Sequence, residues 1–214
     1  MMNWFIEIFR TSIGKKIAMA ITGLGFSLFL LIHLIGNLTL YGGKELFMSY
    51  VEHLHALGPL IHVAEVGLLT FAIIHVVSGL ILFWQNLQAR PIRYKINQRA
   101  GGRTLGSATM PYTGVLILIF VVIHLLNFHF IDHSLQTAFQ VISATFSVLP
   151  YVVFYTIAII IVAIHVSHGF WSLFQTLGAN HAKYMPAIKG FGIIFSLLVA
   201  AGFGFIPVYV NFIM

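Results

Sequence analysis

Four stretches of this chain each place an imidazole in an otherwise apolar run: FLLIHLIGNL (29–38), FAIIHVVSGL (71–80), LIFVVIHLLN (118–127) and IIIVAIHVSHGF (159–170). A neutral imidazole offers one nitrogen lone pair to a metal and one N–H to a hydrogen-bond acceptor. Burying it among leucines and isoleucines is costly unless both are used. A single histidine in such a run is commonly a hydrogen-bonded packing group or a member of a proton relay. Four of them, His33, His75, His124 and His165, call for one shared chemistry, and metal ligation is the strongest candidate.

The elements that must position them are membrane helices. Of 214 residues, 59% are hydrophobic and only 7% are charged, far from the composition of a soluble domain. Five apolar stretches, roughly 17–40, 60–87, 110–131, 149–178 and 188–212, each reach the length of about 20 residues that a spanning helix needs. The expected fold is all-α: a single transmembrane domain over 1–214, with five spanning helices and a four-helix core. The start, MMNWFIEIFRTSIGKK, lacks the short apolar core and cleavage site of a removable leader, and 3–14 reads as an interfacial amphipathic lead-in. With no cysteine, thiol catalysis, disulfides, iron–sulfur ligation and covalent haem attachment by this chain are excluded, and a metal must be held by His, Met or oxygen.

The net charge of +6 comes from cations beside the apolar stretches rather than from a polar domain, so it argues against nucleic acid and for orientation. Arg10, Lys15 and Lys16 precede the first stretch, Arg90, Arg93, Lys95, Arg99 and Arg103 lie between the second and third, and Lys183 and Lys189 flank the start of the fifth. Only Lys44 falls on the other side, so ten of eleven cations share one face. The positive-inside rule then puts the N-terminus in the cytoplasm and the C-terminus outside. Glu45, Glu52, Glu65 and Asp132 fall at or beyond the outer boundary.

Counting depth from Gly42, Pro59, Asp132 and Pro150 sorts the histidines into two levels. His33 is nine residues from Gly42 and His124 eight from Asp132, whereas His75 is sixteen from Pro59 and His165 fifteen from Pro150. A seven-residue difference corresponds to about 10 Å at the helical rise. A six-coordinate haem takes two trans nitrogen ligands from opposite sides, and facing helices that each donate one histidine meet that need twice. Gly36 and Asn37, Ser78 and Gly79, Asn127, and His168 and Gly169 stand within about a turn of the imidazoles and are candidates for making room for a macrocycle; helix packing explains the glycines equally well. His168 is a candidate propionate contact. His53, His55, His129, His133 and His181 read as wet residues near span ends, and His62 with Glu65 as an i,i+3 pair.

SIGKKIAMAITGLGFSLFLLIHLIGNL (12–38), HVSHGFWSLFQTLG (165–178) and the four-histidine pattern together resemble the dihaem cytochrome b subunit of succinate:quinone and quinol:fumarate oxidoreductases. The resemblance covers nearly the whole chain. It implies a multi-pass anchor in the prokaryotic cytoplasmic membrane that carries two b haems and exchanges electrons with menaquinone or another quinone. It also implies cytoplasmic partners, a flavoprotein subunit that performs the dicarboxylate chemistry and an iron–sulfur subunit. Carried over, His75 and His165 would hold the proximal haem, near the iron–sulfur subunit, and His33 and His124 the distal one. The basic loop 88–109 then gains a second role beside topology, as a contact for partners or propionates.

The family also points to an acid between the first two helices for quinone proton exchange, which leaves Glu52 and Glu65 open here. A loop position with access to outside water favours Glu52. Some dihaem members carry a glutamate two residues before the helix-four ligand; Ala163 stands there, which predicts the loss of that proton route. The nearest rival is the dihaem cytochrome b of a hydrogenase or formate dehydrogenase. A histidine-lined cation transporter is disfavoured by the scarcity of carboxylates in the spans, and an inert anchor by the cost of four buried imidazoles.

Overall fold

The computed structural model describes residues 10–89, 104–132 and 134–214. Most of the lead-in, the loop cations Arg90, Arg93, Lys95, Arg99 and Arg103, and His133 lie outside the described residues. The described chain is all-helical: α1 (Ser12–Leu38), a 3-10 turn (Thr39–Gly42), α2 (Lys44–His55), α3 (Pro59–Gln88), α4 (Leu105–Phe128), α5 (Ala138–Phe146), α6 (Leu149–Thr176) and α7 (Met185–Phe212). Five of these, α1 with its 3-10 extension, α3, α4, α6 and α7, are long and apolar enough to cross a membrane. The shortest, α4 with 24 residues, spans about 36 Å at 1.5 Å per residue.

Local sequence sets where these helices begin. Thr11 caps α1 by accepting from Gly14 N at 2.9 Å, and Thr104 and Thr137 form capping boxes with Ser107 and Gln140 at the starts of α4 and α5. Proline in the first turn starts α3, α6 and α7, where its missing N–H is not needed. Gly43 and Gly58, with φ of 89° and 55°, turn the chain into and out of α2.

Helices α1, α3, α4 and α6 close a four-membered ring by successive contacts, and α7 packs outside it against α6 and α1. Val152, Tyr155, Ile159 and Val162 of α6 and Val199, Phe203, Ile206 and Val210 of α7 are buried in one core cluster. Both sets follow the three- and four-residue steps of a helix face. Away from the ring, Leu28, Ile32 and Ile35 of α1 and Leu60, Val63, Val66 and Leu69 of α3 are exposed, as lipid-facing side chains should be. Interhelical hydrogen bonds join the far ends: Tyr41 Oη donates to Gly202 O at 3.1 Å and Asn211 Nδ2 to Phe146 O at 2.6 Å. At the end where α1 begins, the buried Lys15 donates to Arg10 O at 2.8 Å and approaches Gln85 Oε1 of α3 at 3.5 Å. The short helices α2 and α5 meet at the opposite end through Phe47 and Phe139.

Candidate functional site

All four histidines face into the ring, in two levels. At the level farther from the lysine-bearing end, His33 of α1 and His124 of α4 meet with ring centroids 6.0 Å apart and planes at 88°. Aromatic rings hold them. Phe29 stacks on His33 at 5.2 Å and Phe203 of α7 approaches it at 5.4 Å; Phe120, Phe128 and Tyr155 surround His124 at 5.7, 5.2 and 6.1 Å. Asn37, one turn after His33, donates to the His33 backbone carbonyl at 2.8 Å, and Asn127 donates to the hydroxyl of Tyr155 at 3.1 Å. The Nδ1 of His124 is buried with no hydrogen-bond partner, a costly state for a polar atom.

The second level is built differently. His75 of α3 reaches α1, its Nδ1 2.9 Å from Thr22 Oγ1. His165 of α6 reaches α4, its Nδ1 3.0 Å from Thr113 Oγ1. The Cε1 of each ring lies 3.6 Å from where a Cβ would stand on the next residue, Gly23 or Gly114. Eleven residues of α1 separate Thr22 from His33, or about 16 Å of helix rise. This is wider than the separation of about 10 Å that counting from the span ends implies.

The two levels expose a repeat. Met-x-x-Thr-Gly, nine residues, then His runs from Met19 to His33 and again from Met110 to His124, and His-Val-x-x-Gly occurs at His75–Gly79 and at His165–Gly169. The contacts repeat with the letters: Met19 Cε lies 3.6 Å from where a Cβ would stand on Gly79, and Met110 Cε 3.9 Å from where one would stand on Gly169. Helix, short helix, helix is the order of both α1–α3 and α4–α6. The two histidines of each level therefore occupy equivalent positions in the two halves, and α7 stands outside the repeat.

The remaining candidates are distributed as follows. His168 does not join the imidazole pairs: its Nδ1 is 3.3 Å from Thr104 Oγ1, and its ring meets Trp171 at 4.7 Å, with Lys189 Nζ 4.8 Å over the indole. Glu52 lies on α2, a helix rather than a loop, and is exposed. Glu65 of α3 stands between two histidines, His62 Nδ1 at 3.1 Å and His129 Nδ1, at the end of α4, at 3.8 Å. Of the residues thought to make room beside the rings, Gly36 instead packs on Tyr50 and Gly79 on Met19. Ala163 lines an apolar groove between α6 and α7 with Ile160 and Leu197. Thr22, Thr113 and the partnership of Glu65 with His129 are absent from the residue-type reading. The doubled Met-x-x-Thr-Gly motif is the signal that finds the first two. No protein-family model, curated protein or solved structure matches this chain.

Proposed function

We propose that this chain is the dihaem cytochrome b anchor of a succinate:quinone or quinol:fumarate oxidoreductase in a prokaryotic cytoplasmic membrane. The observation that carries the reading is the pairing of His33 with His124 at 6.0 Å. At that separation His33 and His124 would together hold one haem iron, each through a ring nitrogen. The unpartnered Nδ1 of His124 is a second mark of a site built for more than the side chains now in it. His75 and His165 supply the other pair, with both Nδ1 atoms already occupied by threonine hydroxyls.

Bound at these pairs, b haems supply one-electron transfer between a quinone and the iron–sulfur subunit. The residues of this chain ligate, space and orient. His33 and His124 serve the distal position, His75 and His165 the proximal one at the cytoplasmic, lysine-bearing end. Dicarboxylate chemistry belongs to the flavoprotein partner. Glu65, flanked by His62 and His129 at the outer end, or Glu52 exchanges protons with menaquinone or a similar quinone.

The test is haem stoichiometry. The purified full chain should carry two b haems by its pyridine haemochrome spectrum. His75→Ala or His165→Ala should remove the proximal signal and leave the distal one, and His33→Ala or His124→Ala the reverse. A haem-free chain from a host that makes haem ends the proposal, and a variant that keeps both haems unchanged ends the pairing.

A further inference from the structure

In the second level, each histidine meets a threonine whose own hydrogen is already committed. Thr22 Oγ1 has the Ala18 and Met19 carbonyls to donate to, at 2.8 and 3.2 Å, and Thr113 Oγ1 those of Thr109 and Met110, both at 3.1 Å. A hydroxyl has one hydrogen and two lone pairs. With the hydrogen spent on the helix backbone, what each Oγ1 presents to the imidazole 2.9 or 3.0 Å away is a lone pair. The ring nitrogen facing it must then carry the proton. A neutral imidazole protonated on Nδ1 has its free lone pair on Nε2.

We infer that Thr22 and Thr113 are positioning residues that hold His75 and His165 as Nδ1–H tautomers, with Nε2 presented to the metal, before any metal binds. Three further observations support this. Both hydroxyls belong to residues that are themselves buried, 3% exposed at Thr22 and 7% at Thr113, so water does not compete for the bond. The residue after each threonine is glycine, with the ring's Cε1 3.6 Å from the missing Cβ, so the imidazole lies close against the neighbouring helix. The arrangement occurs twice, at positions matched by the repeat, whereas the distal His124 has no Nδ1 partner. The chain thus gives its two levels different second contacts: a threonine hydroxyl on each ring of one, and on the other the Asn37 amide, 3.4 Å from His33 Nδ1, with none at His124 Nδ1.

The electronic consequence rests on the dihaem reading above. An acceptor on Nδ1–H makes Nε2 a stronger donor, and a stronger donor favours the oxidised metal. Loss of either hydroxyl should raise the proximal potential, leave the distal one in place, and weaken proximal haem retention about tenfold.

Thr22→Val and Thr113→Val remove the acceptor at nearly constant shape, and Thr22→Ser and Thr113→Ser restore it. In redox titrations of the full chain, the valine variants should shift only the proximal haem upward and the serine variants should not. Valine variants that leave the proximal potential unchanged, or shift both haems together, overturn the inference. Nitrogen-15 spectra of the histidines in the haem-free chain test it independently of loading. Nδ1–H rings at His75 and His165 in the parent chain, lost in the valine variants, support it; Nε2–H rings in the parent overturn it. A parent chain that never binds haem but has Nδ1–H rings ends the dihaem reading and leaves the positioning role standing.

Discussion

A carboxylate between two imidazoles can take a proton from one side and give it to the other, and Glu65 is held in that way by His62 at 3.1 Å and His129 at 3.8 Å. Its side chain is 40% exposed, so water reaches it. Glu52, by contrast, sits on the open face of α2. If quinone exchanges its protons at this end, Glu65→Gln should slow quinol-driven haem reduction about 100-fold, as loss of a general acid or base does, with haem content unchanged. Glu52→Gln should have little effect, and the reverse order of the two variants would move the site to α2. The four imidazoles are legible in the sequence because each stands in an otherwise apolar run and carries a ring nitrogen able to ligate a metal. The contacts that distinguish them are not. Thr22 and Thr113 read as ordinary membrane threonines bonded to their own helix, and each partner lies more than fifty residues away, as with His75 at |i−j| of 53. His129 likewise reads as a wet residue until the fold brings α3 beside the end of α4.

Helices α4 and α6 must approach closely for His165 to reach Thr113, and Gly106 is where they do so. A Cβ on Gly106 would stand 2.6 Å from the His168 Cβ, an atom fixed to its own backbone rather than the tip of a flexible chain. Gly106→Ala therefore has to push the helices apart one turn from His165, at a cost of about 1–3 kcal/mol. On the dihaem proposal, the expected result is partial loss of the proximal haem with the distal haem retained, read from the haem-to-protein ratio and the two potentials. A variant with both haems at parental potentials would mean that the crossing does not set the ligand's position. The five spans are readable from hydrophobicity alone, and so are the starts of α3 and α6 at Pro59 and Leu149, but not those of α1 and α4. Thr11 and Thr104 begin α1 and α4 five residues before the apolar stretches at 17 and 110, because a capped helix continues through polar interfacial residues. The short helices α2 and α5 escape notice for a related reason. Each is too brief for a span, and their packing through Phe47 and Phe139 depends on the whole outer end being assembled.

At the scale of the molecule, the repeat explains why the levels form at all. Two copies of a helix, short helix, helix unit place equivalent histidines opposite one another, so each half contributes one histidine to each pair. Such a ladder is useful to the proposed complex only in one orientation, with the His75–His165 level toward the side that holds the iron–sulfur partner. That level lies toward the end bearing Lys15 and Lys16, where α1 begins, Lys183, between α6 and α7, and Lys189, near the start of α7. Cationic residues beside spans are retained in the cytoplasm, so charge and cofactor placement make the same demand by independent physics. A periplasm-active phosphatase fused after Met214 should therefore be active, and the same enzyme inserted at residue 97 inactive, with a cytoplasm-fluorescent reporter giving the opposite pattern. The inverse result would leave the histidine pairs intact as a site. It would also put the threonine-held level on the outer side and remove the route to a cytoplasmic partner.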